Sequence, residues 1–196
     1  FFFPPPPPPP DPLWSRGLGD VYKRQVPYGH LEYILEMSGL IERVHIQTLN
    51  EPWPTLLRMI DSGHNLVVFV EGSFDQNYPY LHSFTEHGWT TNYGDRFPEG
   101  MTCDVLRGDS NQPVGHLNNW LALESGLTDY QRAPIVNAYD FLLNRSLDCW
   151  EMHGSRPTFI AVDWWTEGEA VNVSLTLNEM DHWSDEVPLR ATTDSR

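Results

Sequence analysis

The sequence predicts a parallel α/β architecture, and three observations carry that expectation. In "EPWPTLLRMIDSGHNLVVFVEG" a helical apolar spacing runs into the continuous run Leu66 to Val70, without the alternation of a half-exposed strand. The same helix-then-strand order returns where "APIVNAYDFLLNRSLDCWEMHG" is followed by "PTFIAVDWW". Unbroken β-branched and aromatic runs belong to strands covered on both faces, which is the condition of a parallel sheet flanked by helices. No internal repeat interrupts the series.

Each element has its own justification. "HLEYILEMSGLIERV" sets Leu31, Ile34, Leu35 and then Leu40, Ile41, Val44 at spacings of three and four around a Ser-Gly break, giving a helix with a short continuation. Pro54-Thr55 opens a second short helix, carried by Leu56, Leu57, Met59 and Ile60 and stopped by Gly63. Residues 66–70 form the first buried strand. From Gly72 to Pro113 the periodicity is weak, so this stretch is expected to be long loops bearing surface chemistry, apart from a short helix around Tyr80 to His87. "VGHLNNWLA" is a weaker strand, interrupted by His116, Asn118 and Asn119. Ile135, Val136, Ala138, Tyr139, Leu142, Leu143, Leu147 and Trp150 then mark a helix ending at Gly154. A strand from Thr158 to Val162, a helix over "GEAVNVSLTLNEM" and a polar tail over 181–196 complete the order.

Composition narrows the function. The chain has 196 residues and a formal charge of −15. Such acidity excludes the basic face that nucleic-acid binding needs to displace counterions from phosphate. No apolar run reaches the roughly 20 residues of a membrane-spanning helix. Cys103 and Cys149 lack the close pairing of a zinc site, leaving a buried thiol pair or, in an exported protein, a disulfide. Residues 1–25 stand apart: a Phe-Pro tract precedes "SRGLGDVYKRQ", which holds the sole lysine, Lys23, and back-translates to a sequence resembling a transposase end from library preparation. They are expected to be a non-native leader, with the natural N-terminus missing and any export signal with it.

Two acids stand immediately after buried strands, Glu71 after "LVVFV" and Asp163 after "FIAV". Ligands of α/β sheets and barrels sit at the carboxyl ends of strands, so these side chains are candidates for a site. Each could equally cap the element that follows.

"WPTLLRMIDSGHNLVVFVE", "MTCDVLRGD", "HLNNWL", "VNAYDFLLNRSLDC" and "PTFIAVDWWTEGE", in this order, resemble the C-terminal half of the phospholipase C-like phosphodiesterases, relatives of the phosphatidylinositol-specific phospholipase C X domain. The resemblance covers about Trp53 to Met180. It implies a partial TIM (β/α) barrel over residues 26–180, carrying roughly the second half of the strands. It also implies phosphodiester chemistry on a lipid headgroup or a polyol phosphate. Asp163 matches the acid that orients the first-strand histidine in the bacterial enzymes; a carboxylate accepting the imidazole N–H fixes its tautomer and stabilises the imidazolium. Glu71, Asn118, Asn119 and Trp164 match further family positions and are the candidate substrate-binding residues. "NNW" stands where the family commonly has "NHW", and Leu106 stands where an Asn is common.

The family's two catalytic histidines belong to its N-terminal half, and neither motif is present. The histidines of this chain, including His82, His87 and His116, match no such motif and are read as lying mostly in loops, with surface or structural roles. The implied chain is therefore a fragment of a phosphoric diester hydrolase, silent alone. Its alternative is a non-catalytic barrel that binds a phosphorylated or sugar-like ligand. Calcium, used by the animal-type enzymes, would be held mostly by the missing half, and no metal ligand is assigned here. The family-like order, with the helix of Cys149 following the loop of Cys103, motivates a disulfide between them.

Overall fold

The computed structural model of the chain describes residues 26–180; the expected leader (1–25) and polar tail (181–196) lie outside the described residues. The described part is a mixed α/β structure with two separate sheets.

Helix α1 (Tyr28–Met37) ends at Gly39, whose φ of 69° turns the chain into a 3-10 segment, Leu40–Arg43. Leu35 and Val44 bury their side chains against Leu81, with Leu31, Ile41 and Leu66 around them. Helix α2 (Leu56–Ser62) is opened by the Thr55 hydroxyl accepting from the Arg58 N–H and closed by Gly63 at φ 77°. Strand β1 (Val68–Val70) then pairs in parallel with β2 (Leu81–Ser83), and Val44 bridges Leu66 in parallel beside them.

The second sheet holds β3 (Gly88–Thr91), β4 (Val105–Gly108), β5 (Val114–Asn119) and β6 (Phe159–Val162), in the order β4-β3-β5-β6. β3, β5 and β6 are parallel, whereas β4 runs antiparallel to β3 with an irregularity between Thr90 and Thr91. The one-turn helix α3 (Phe84–His87) joins β2 to β3. Helices α4 (Ala133–Val136), α5 (Tyr139–His153) and α6 (Ala170–Glu179) follow β5 and flank β6 in the chain. The main core lies between α5 and α6, where Leu142, Leu147, Trp150, Val173 and Leu177 are buried together. Each such side chain contributes about 1.5–3 kcal/mol relative to exposure.

Four expectations are corrected. The sheet is not wholly parallel, because β4 returns along β3. The stretch from Gly72 to Pro113 is not simply loops: β2, β3 and β4 lie in it, and Leu81, Trp89, Thr90 and Thr91 are completely buried. Tertiary burial, not periodicity, makes strands of these three- and four-residue segments. Nor are the first and last strands covered on both faces. β1 is half-buried throughout and Phe159 of β6 is exposed. The described residues form no closed barrel. The helix expected over 133–154 breaks at Ala138, whose ψ of 143° separates α4 from α5.

Cys103 and Cys149 form a disulfide with Cα atoms 5.1 Å apart, tying the segment before β4 to α5. Beside it Arg145 is buried, and donates to the carbonyls of Met101 (3.2 Å), Thr102 (3.0 Å) and Asn118 (2.7 Å). Burial pulls its guanidinium down to about 10, with Asp95 opposing that shift. Donation to several carbonyl dipoles is what makes a buried guanidinium tolerable.

Candidate functional site

A cleft of about 420 Å³ opens between β1 and β5. The period of two along β5 sends His116 and Asn118 to this side, and Trp120 continues the row; Phe69, Val70, Phe84 and Phe159 supply apolar walls. Glu71, directly after β1, reaches across to Arg107 of β4, with Oε2 and Nη1 2.5 Å apart. The guanidinium also lies 5.5 Å from the Tyr93 ring centroid, a cation–π arrangement. Both partners of the pair remain partly open to solvent, with side chains 44% and 30% exposed for Glu71 and Arg107. Arg107 Nε is buried without a hydrogen-bond partner. His116 is held below its ordinary value by burial and then by the Arg107 charge, so it is a neutral imidazole at neutral pH.

Asn118 borders this cleft, but its side-chain amide donates to the Thr90 hydroxyl (2.6 Å) and the Thr91 carbonyl (2.7 Å). Asn119, the next residue on the strand, points to the opposite face. Its amide donates to the Val136 carbonyl (2.9 Å) and to Asn137 Oδ1 (3.2 Å). Both amides are thus engaged in joining β5 to its neighbours.

Asp163 and Trp164 follow β6 and line a small pocket with Asn119, Thr128 and Asp129, which shares Trp120 with the cleft. Burial raises the Asp163 carboxyl above its ordinary value, and a hydrogen bond with the Thr128 side chain partly opposes this. Trp164 has a φ of 55° and packs its ring edge-on against Tyr130, centroids 5.0 Å apart. The five sequence candidates therefore fall into two groups: Glu71 and Asn118 at the cleft, and Asn119, Asp163 and Trp164 at the smaller pocket.

Sequence reasoning missed Arg107, although "MTCDVLRGD" contained it, and missed Trp120, which the period-two row from His116 could have shown. His82 lies on β2 rather than in a helix or loop, whereas His87 in α3 and His116 on β5 fall in the short helix and the weaker strand expected around them. His82 is fully structural in its bonding. Its Nε2 accepts from the Gln47 N–H (2.9 Å), which leaves Nδ1 to donate to the Val68 carbonyl (3.1 Å). Among the described residues no group of three or more His, Cys, Asp or Glu converges to hold a metal ion. Glu71, the acid at the cleft, is engaged by Arg107, and no step below runs through a metal.

A protein-family model described as PI-PLC X 1 matches residues 23–178, most of the chain. The chain belongs to the PI-PLC X family. Among curated proteins, a PI-PLC X domain-containing protein 1 of Arthroderma benhamiae is 27% identical over 139 residues, covering 64% of this chain and 45% of that protein. The chain thus spans less than half the length of this PI-PLC X relative. No solved structure matches it. The PI-PLC X match runs through both groups of candidate residues, from Glu71 to Trp164.

Proposed function

We propose that this chain is part of a phosphoric diester hydrolase of the phospholipase C-like type, cleaving a lipid or polyol phosphodiester by acid/base catalysis. The observation that carries the reading is the Glu71–Arg107 pair, set in an apolar and aromatic cleft beside the last residues of a parallel strand. A carboxylate and a guanidinium side by side offer an acceptor and a fork of donors, which suits the hydroxyls of a polyol ring or a phosphate oxygen. Tyr93 and Trp120 give such a ring flat walls.

In this reading the strands belong to a (β/α) barrel whose first strands lie outside residues 26–180. Among the described residues β6 pairs with β5 alone, so its other edge is where a first strand would pair. A histidine at the end of that strand would stand next to Asp163. It draws the proton from the attacking hydroxyl, a second histidine protonates the leaving oxygen, and Asp163 accepts the N–H of the first. Positioned acid/base groups of this kind contribute roughly 10²–10⁴-fold. The disulfide fits an oxidising compartment.

The test joins the natural upstream sequence to this chain and follows hydrolysis of inositol phospholipids and of simpler phosphodiesters. Turnover is expected, with Glu71→Gln and Arg107→Met raising KM more than they lower kcat. A folded, rejoined protein that binds a polyol phosphate but never turns over would establish the non-catalytic reading instead.

A further inference from the structure

We infer that Asn137 is a positioning residue for the carboxyl end of β6, clamping the backbone of Asp163 and Trp164 in the turn that sets the direction of both side chains. Its value to catalysis rests on the roles proposed above for those two residues, whereas the clamp stands on geometry.

Asn137 is 1% exposed and every polar group it has is engaged. Its side-chain amide donates to the Asp163 carbonyl at 2.9 Å and, at the limit of hydrogen bonding, to the Trp164 carbonyl at 3.5 Å. Its Oδ1 accepts from Asn119, its N–H donates to Ala133, and its own carbonyl accepts from the Glu169 N–H at 2.8 Å. The segment after β6 therefore closes around one buried side chain. Gly168 passes so close that a Cβ there would lie 2.5 Å from both Cβ and O of Asn137. Its φ of 130° is a second reason for glycine.

What needs clamping is Trp164. A φ of 55° is a genuine outlier for a bulky side chain, and such a residue persists only where its surroundings over-determine it. The Asn137 amide and the Glu167 N–H, 2.7 Å from the Trp164 carbonyl, supply that determination. Released from them, Trp164 would relax to an extended backbone, the ring would leave Tyr130, and the Asp163 carboxylate would turn from Thr128. The reach extends to β5, because Arg145 also donates to Asn119 Oδ1 at 3.4 Å. β5, α4 and the β6 turn are joined through Asn119 and Asn137.

A double-mutant cycle on the full chain isolates the clamp, since glycine adopts positive φ without strain. Asn137→Ala is expected to raise the unfolding constant on the order of tenfold in the native background. Where Trp164→Gly has removed the strain, nothing is recovered when the clamp is lost, so the same substitution should raise it further, by about fiftyfold or more. An equal factor in both backgrounds overturns the proposal. If Asn137→Ala alone does not fold, Asn137→Ser takes its place in the cycle, where a larger factor beside Trp164→Gly supports the clamp and an equal one overturns it. The carboxyl titration of Asp163, read by carbon NMR in Asn137→Ser, should move down as the side chain gains solvent; an unmoved titration overturns its positioning. Full turnover in a rejoined Asp163→Asn enzyme would remove the catalytic reading and leave the coupling as measured.

Discussion

Removing the disulfide is expected to destabilise the protein mainly through its unfolded state. Cys103 and Cys149 are 46 positions apart, and closing a loop of that length withdraws about 13–14 cal/mol/K from the unfolded chain, or about 4 kcal/mol at 25 °C. In a chain of this size each kcal/mol is worth about 2–4 °C, so Tm should fall by roughly 8–16 °C. The native state should barely notice. Arg145 holds Met101 and Thr102 to α5, and the His153 imidazole Nε2 lies 2.7 Å from the Cys103 carbonyl, so the cross-linked segment has three non-covalent ties of its own. The assay compares oxidised protein, reduced protein and the Cys103→Ala, Cys149→Ala variant by thermal melts, with near-ultraviolet circular dichroism reporting the native packing. Matching dichroism with a lowered Tm is the expected pair of results. Collapse of the near-ultraviolet signal on reduction at 25 °C would refute the reasoning, because the bond would then be supporting native contacts rather than restricting the unfolded chain. Two freely alkylated thiols in untreated folded protein would refute the bridge itself.

Other outcomes follow from particular side chains. Arg145→Met should cost about 3 kcal/mol or more in urea unfolding, since it strands buried carbonyls at about 1–3 kcal/mol each; a loss under 1 kcal/mol would show that those carbonyls find other partners. His82, His87 and His116 are all held by burial below their ordinary value, so as pH falls through about 6.5 the unfolded chain takes up protons first. Stability is then full above that pH and declines below it, and a urea midpoint that stays flat between pH 7.5 and 5.5 would contradict this. Asp163 has the opposite sign: its raised carboxyl holds a proton more tightly in the folded state, so stability falls as pH rises from its ordinary value through its folded one. Asp163→Asn should therefore stabilise the chain at neutral pH while impairing turnover of the rejoined enzyme; a destabilised variant in the melts, or unchanged kcat, breaks one half of that pairing.

The legible parts of the fold were those with long periods. α5 and α6 show their buried stripes over 15 and 10 residues, and "FIAV" announces β6 by a run of apolar residues. β2, β3 and β4 are invisible for the converse reason. "LHS", "GWTT" and "VLRG" hold too few residues to show a period, and Thr90 and Thr91 become core through their neighbours rather than their hydrophobicity. The site divides in the same way. Glu71 and Asp163 were legible because an acid directly after a buried strand has a known place in a parallel sheet. Arg107 was not, since its relation to Glu71 spans 36 residues and exists only once β4 has folded back along β3. The family resemblance marked Asn118 and Asn119 together, and only the fold shows that adjacent positions on β5 face opposite sides and take different partners.

Among the described residues no backbone ladder joins the β1–β2 pair to the four-stranded sheet, and this has a consequence for local stability. The two ladders can open independently, and the smaller one is two strands of three residues, with β1 only half-buried. Amide exchange should release β1 well before β3 and β5, whose neighbours are the completely buried Trp89, Thr90 and Leu117. Glu71 rides on that softer ladder and Arg107 on the firmer one. A ligand that engages both would draw on its binding energy to quiet β1, and protection of the Val68–Val70 amides would be the earliest sign that the cleft is filled.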